Sequence, residues 1–334
     1  MINVGIIGYG YWGPNLVRNF SQVSNCKVKM VSDFRKERLE LVTKIYPSVN
    51  VTTDPDEIIS SEGINAVIIA TPVFTHFDLA KKALENGKHV LLEKPMTSTV
   101  EEAEELMALA GKKNLLLMVD HTFLYTGAVK KMKQLIDEKT IGDIHYFDSS
   151  RINLGLFQPD VNVLWDLAPH DISILLHLIA QKPHSVNATG VSHTKNGIEN
   201  IAYLTVNFNS DFIAHFNCSW TSPVKLRTLL IGGDKKMMMF NDLEPTEKIK
   251  IYDTGYNYKN DDDKKRLLVD YRTGDIFIPK IELNEALLGM SYDFINSILN
   301  ETEPVSNSQL GLEVIKILEA SQKSIKNKGQ EIIL

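Results

Sequence analysis

The sequence predicts an α/β chain in two parts: a doubly wound parallel Rossmann sheet over residues 1–122, then an α+β domain over residues 123–334. Three observations predict it. Short apolar runs alternate with amphipathic stretches through the first third. A glycine-rich loop separates the first apolar run from the first amphipathic stretch. Beyond residue 122, turn-flanked β runs replace the alternation and describe a large, mostly antiparallel, open-faced sheet.

In the first part the strand candidates are residues 3–7, 27–33, 66–71, 89–93 and 115–119. They are continuous Val, Ile, Leu and Met runs, as expected of parallel strands covered on both faces. Pro14 falls where a first helical residue follows the glycine loop, and its missing N–H costs nothing there. Asp54-Pro55-Asp56-Glu57 opens another helix, and Ser98-Thr99-Val100-Glu101-Glu102 holds two overlapping capping boxes. Strand alternating with helix implies right-handed crossovers.

In the second part residues 124–138 and 166–180 read as helices. Hairpins follow: 201–208 with 212–220 about Asn209-Ser210-Asp211, 226–231 with 237–240 about Gly232-Gly233-Asp234-Lys235, and 267–271 with 276–279 about Thr273-Gly274-Asp275. Helices near 286–299 and 310–326 close the chain. The charged stretch 256–265, with Asp261-Asp262-Asp263, reads as a solvated connection.

The 334 residues are 43% hydrophobic and 23% charged, enough for two ordinary cores. A net charge of −6 without a long basic run argues against nucleic acid or an anionic membrane as partner. Cys26 and Cys218 show neither metal spacing nor a disulfide framework, which suits a reducing compartment. With a strand starting at Ile2, the expectation is no signal peptide, no spanning segment and a cytoplasmic protein. No His/Cys/Asp/Glu set has metal spacing, and no metal is expected.

Gly8-Tyr9-Gly10-Tyr11-Trp12-Gly13 is a weak signal alone, but it follows a strand, opens a helix and is followed by Asp33 at the next strand end. Gly8 suits a tight turn, Gly10 a close approach of pyrophosphate, and Gly13 close packing of helix on strand. The loop, Tyr11 and Trp12 included, is the expected phosphate site at a helix N-terminus. Asp33 is expected to accept from the adenosine ribose hydroxyls, favouring NAD. Arg35 suits a 2′-phosphate and keeps NADP open.

Ala70-Thr71-Pro72 with His76 ends one strand, Glu93-Lys94-Pro95 ends the next, and Asp166-Leu167-Ala168-Pro169-His170 lies in the second part. With these motifs the whole chain resembles the Gfo/Idh/MocA oxidoreductase family. The resemblance implies hydride transfer between NAD(P) and a carbinol carbon of a sugar or cyclitol, with an open sheet that supports a homo-oligomer, a dimer or tetramer. It implies catalytic roles for Lys94, Asp166 and His170, all three also touching substrate. It assigns Thr71, Pro72, His76, Glu93 and Lys94 to the cofactor side. Many members carry a glycine-rich run before the Asp and a glycine before the His. Here the stretch Val161-Asn162-Val163-Leu164-Trp165-Asp166-Leu167-Ala168-Pro169-His170 departs from that form. With Ser219-Trp220-Thr221-Ser222-Pro223 and Lys225-Leu226-Arg227 it resembles the branch acting on nucleotide-linked sugars, at C3 of a UDP-N-acetylhexosamine or its uronic acid.

The residue types fit alcohol oxidation. A hydroxyl proton is poorly acidic, so a positioned base is needed. An imidazole with an ordinary pKa of about 6.5 makes His170 a natural acceptor. Lys94 suits stabilisation of the alkoxide, or acts itself as base if buried. Asp166 at i−4 fixes the imidazole or binds a sugar hydroxyl. Arg227, with Lys225, is the candidate for pyrophosphate. Each has a plainer reading: a structural His, a strand-terminal Lys, a helix-capping Asp, a solvated strand cation. His76 reads as structural; Trp220 and Tyr125 read as core, with stacking on a base or sugar ring the alternative, and lining the cofactor–substrate cleft is only the lesser reading for His121. Two other functions stay open, a dehydrogenase of a free polyol, inositol or aldose, and a non-catalytic dinucleotide sensor.

Overall fold

The computed structural model describes residues 1–155, 157–257 and 270–334, which form two compact units. One comprises Met1–Thr126 and Asn284–Glu319, the other Gly127–Leu283 and Ala320–Leu334. The first opens β1 (Ile2–Ile7), α1 (Gly13–Phe20), β2 (Cys26–Ser32), α2 (Lys36–Ile45), β3 (Asn50–Thr52), α3 (Pro55–Ser60). It continues β4 (Ala66–Ile69), α4 (His76–Glu85), β5 (His89–Glu93), α5 (Val100–Lys113) and β6 (Leu117–Asp120). The strands make one six-stranded parallel sheet in the order β3-β2-β1-β4-β5-β6, which reverses direction between β1 and β4. Val4, Ile6, Val67, Ile69, Val90 and Leu92 are buried completely, so both faces of the sheet are covered as their apolar runs require. Helix starts follow local chemistry. The Asp54 carboxylate accepts from the Asp56 N–H, and the Thr99 hydroxyl from the Glu102 N–H.

The second unit contains α6 (Gly127–Asp137), β7 (Ile144–Leu154), α7 (Val163–Leu178), β8 (Pro183–Val191), β9 (Ile201–Phe208), β10 (Ile213–Ser219) and β11 (Thr221–Gly233). Then come β12 (Met237–Asn241), β13 (Ile249–Tyr252), β14 (Gly255–Asn257), β15 (Asp270–Arg272) and β16 (Ile276–Phe277). The chain returns to the first unit with α8 (Ala286–Asn300), continues through α9 (Ser308–Lys326) and ends in β17 (Ile332–Ile333). A nine-stranded sheet runs β16-β13-β12-β11-β7-β10-β9-β8-β17, antiparallel except where β7 meets β10. Along β9, Ala202, Leu204, Val206 and Phe208 are buried while Tyr203 is exposed. One face of the sheet packs under α7 and the other lies open.

Among the described residues the expected hairpin about Thr273-Gly274-Asp275 does not form. Its arms take different partners, β15 pairing with β14 and β16 with β13. The cause is tertiary: the Asp253 N–H donates to the Asp275 carbonyl at 3.0 Å, and a Cβ on Gly274 would strike the Asp253 backbone. The turn is pinned to β13 instead of closing on itself. The expected strand residues 267–269 and the Asp261-Asp262-Asp263 run lie outside the described residues. Among those described, no helix is long and apolar enough to cross a membrane.

Candidate active site

The glycine loop lies between β1 and α1. Gly8 has φ +98°, and a Cβ there would collide with the Ala70 carbonyl; one on Gly13 would meet the Gly8 carbonyl. At Gly10 a Cβ would find only the Arg35 guanidinium, at 3.7 Å, so this face of the loop is open. Trp12 occupies the N-cap of α1 without any side-chain cap. The helix N-terminus is therefore left to an anion, which fits a dinucleotide pyrophosphate. Tyr9 is buried, whereas Tyr11 and Trp12 project outward, their rings edge to face at 5.3 Å.

Asp33 is buried just beyond β2. Its Oδ2 accepts from the Tyr9 N–H at 2.8 Å and from Arg35 Nη2 at 2.9 Å. Its Oδ1 accepts from the Arg35 N–H and from Nε, both at 2.9 Å. Burial pushes this carboxyl up, but the Arg35 and Tyr9 bonds prevail and hold it below the usual carboxylate range. The Arg35 guanidinium also lies 5.1 Å over the Phe34 ring.

Thr71 and Pro72 follow β4. His76, buried at the start of α4, ties that loop to the next: Nε2 lies 2.8 Å from the Thr71 carbonyl and Nδ1 3.0 Å from that of Pro95. It thereby couples the Thr71 loop to the loop carrying Lys94. Glu93 ends β5, and the Lys94 N–H donates to its Oε2 at 3.1 Å.

Asp120 belongs to none of the sequence motifs. It ends β6 opposite Glu93 in parallel register, and both residues are buried, which sets the two carboxyls side by side. The Thr122 hydroxyl also donates to Asp120. Burial and then the neighbouring Asp120 push Glu93 well up, while burial raises Asp120 to about 6. His121 is buried beside them with neither ring nitrogen hydrogen-bonded, and burial, then the Lys94 charge, lower it to about 3. Two acids ending neighbouring apolar runs were the available signal.

In the second unit α7 begins earlier than expected. Asn162, not Asp166, is the cap, its Oδ1 accepting from the Leu164 and Trp165 N–H groups at 3.1 and 3.2 Å. Asp166 and His170 then share a face of α7. The indole N–H of buried Trp220 donates to Asp166 Oδ2 at 2.9 Å, so this core residue also orients the carboxylate. One position past His170, Asp171 is clamped by Arg151 Nε at 2.9 Å, Arg151 Nη2 at 2.6 Å and Ser149 Oγ at 2.7 Å. Arg227 on β11 faces Arg151 in register, hence lies on the α7 face of the sheet. Its Nη1 reaches Asp242 Oδ2 at 3.2 Å.

Comparison with known proteins gives the lineage. Residues 2–121 match the model of the oxidoreductase family with an NAD-binding Rossmann fold, and residues 129–239 the Gfo/Idh/MocA C-terminal domain. The chain belongs to the Gfo/Idh/MocA family. Its first domain has the family's NAD-binding Rossmann fold. Among its relatives is scyllo-inositol 2-dehydrogenase (NADP(+)) of Bacillus subtilis, 29% identical over 70% of this chain and 63% of that one. Another is UDP-N-acetylglucosamine 3-dehydrogenase of Acidithiobacillus ferrooxidans, 31% identical over 57% and 58%. These matches span less than two thirds of either relative. The solved structure of the latter enzyme superposes with a TM-score of 0.80 over 98% of both chains at 23% identity, which speaks to fold.

Proposed function

We propose that the protein is an NAD(P)-dependent dehydrogenase of a secondary alcohol, acting at C3 of a UDP-linked N-acetylhexosamine or its uronic acid. The observation that carries the chemistry is the pair Asp166 and His170 on one face of α7, with Asp166 held by a buried indole N–H. The nicotinamide, when bound, supplies the hydride acceptor. His170 takes the hydroxyl proton onto its imidazole and returns it in the reverse direction. Asp166 orients that imidazole. Lys94 donates to the reacting oxygen as charge develops on it. The Gly8–Gly13 loop and the N-terminus of α1 hold the pyrophosphate, and Asp33 with Arg35 meets the adenosine ribose.

The nucleotide-sugar assignment rests on the match to the UDP-N-acetylglucosamine enzyme and on Arg227, whose forked guanidinium suits a phosphate. A free cyclitol or aldose is the second reading, favoured by the ion pair that already engages Arg227 with Asp242 and by the inositol dehydrogenase among the relatives. We also assign homo-oligomerisation to the open sheet face, where Tyr146, Tyr203 and Ile213 are exposed. The free thiols of Cys26 and Cys218 suit the cytoplasm.

A panel of UDP-sugars and free polyols, assayed with NAD and NADP by reduced-nicotinamide absorbance, tests the reading. Turnover of a UDP-N-acetylhexosamine is expected, with Arg227→Ala raising its KM about tenfold through loss of a charge-assisted contact. Unchanged affinity in Arg227→Ala would move the assignment to the free sugar. Wild-type turnover in a Lys94→Ala/His170→Ala variant would sink the catalytic roles.

A further inference from the structure

We propose that Glu93 and Asp120 form a proton-sharing carboxyl pair whose single negative charge makes the cofactor site favour oxidised, cationic nicotinamide over the neutral reduced form.

The geometry comes first. The two acids end adjacent parallel strands in direct register, one strand spacing apart, and both are buried. Two carboxyls buried side by side on neighbouring strands cannot both ionise, so the pair holds one proton and one negative charge. Burying such a charge in a sheet is costly, and a well-packed apolar pair of similar size would serve stability as well. Carboxyls retained in that situation at the functional end of a sheet point to use.

Their place shows what the use is. In this strand order a dinucleotide straddles the reversal between β1 and β4, outside the carboxyl ends of the strands. The loop after β1 takes the pyrophosphate, and Asp33 after β2 marks the adenosine side. The nicotinamide half then falls on the opposite side, toward the ends of β4, β5 and β6, where Glu93 and Asp120 lie. Oxidised nicotinamide carries a positive charge that its reduced form lacks. A buried anion near the ring therefore stabilises one redox form only, and a low local dielectric strengthens the difference.

The surroundings leave the pair as the group that titrates near neutrality. Lys94 sits at the end of β5 and its charge lowers both carboxyls. His121 on the β6 side is kept neutral by burial, and burial likewise lowers His76 behind Pro95. Tyr125, after β6, is raised by burial and by its bond to Asp293 of α8. Thr122 is a neutral donor. With Asp120 raised to about 6, the pair gains its second proton and loses its charge as pH falls through that value. Affinity for NAD⁺ then drops while affinity for NADH holds.

The inference rests on the cofactor alone and stands whatever the substrate proves to be. It is tested by titrating the substrate-free protein with NAD⁺ by calorimetry and with NADH by fluorescence, between about pH 5 and about pH 8. The adenosine and pyrophosphate contacts are common to both forms and cancel in the affinity ratio. The ratio is expected to fall about tenfold toward low pH, and to be lowered and flat with pH in a Glu93→Gln/Asp120→Asn variant, which keeps the size and polarity of the pair without the charge. Parallel weakening of both forms, or a ratio that ignores pH and the substitutions, would overturn it. Should the double variant misfold, the wild-type pH series decides alone.

Discussion

Asp33 receives hydrogen bonds from the Tyr9 N–H, the Arg35 N–H, Arg35 Nε and Arg35 Nη2, two on each oxygen. A carboxylate offers about four acceptor positions, so its capacity is filled from within the protein. A ribose hydroxyl competes with Arg35 for Asp33, and a 2′-phosphate competes with Asp33 for Arg35. Removing the carboxylate therefore releases the arginine toward NADP. Asp33→Ser is expected to raise the ratio of kcat/KM for NADP over NAD by about tenfold or more, the worth of one charge-assisted phosphate contact. Steady-state kinetics with both cofactors checks it, and an unchanged ratio would remove Asp33 from cofactor choice. At this scale the residues that announce themselves were legible: Gly8, Gly13 and Asp33 because each meets a backbone or spacing requirement. Asp120 was not, because an acid at a strand end acquires meaning only from the acid one strand away.

At the scale of elements α7 and β7 make the clearest case. Asn162 caps α7, yet the apolar run Val163-Leu164-Trp165 after it hides the helix start, and the helix was expected from Asp166. β7 was not foreseen as a strand. Its buried face is Phe147, Ser149 and Arg151, and the last two look solvated until Asp171 is placed against them. That ion pair fixes α7 on the sheet one residue from His170. Arg151→Met leaves the buried Asp171 carboxylate with the Ser149 hydroxyl alone and is expected to cost about 3–5 kcal/mol, read from the urea midpoint. Arg151→Met/Asp171→Leu is expected to recover most of the loss, since the cost lies in the unpaired charge. If the single variant is as stable as wild type, α7 is not anchored by this pair.

At the scale of the molecule, the expected division at residue 122 meets a chain that comes back. Residues Asn284–Glu319 belong with the Rossmann sheet. Phe294 of α8 packs edge to face on Phe20 at 6.1 Å, Glu285 pairs with Arg18, and the Ser306 hydroxyl donates to the Val119 carbonyl. Glu319 accepts from the Val100 N–H at 2.8 Å, closing the start of α5. A fragment of residues 1–126 is accordingly expected to bind NADH weakly and unfold in low urea, while the same fragment fused to residues 284–319 binds it and unfolds cooperatively. Equal behaviour of the two would show the returning segment to be dispensable. What the sequence by itself determined is the Rossmann half and the lineage. Those rest on short-range rules, such as strand-loop-helix order, glycines demanded by backbone contact and motifs at strand ends, which act within one supersecondary unit. The tertiary structure alone decided the Glu93–Asp120 pair, the Trp220 bond to Asp166, the Arg151 clamp and the return of α8. Each joins residues distant in the chain, and a polar side chain's role is set by the partner that satisfies it once water is excluded.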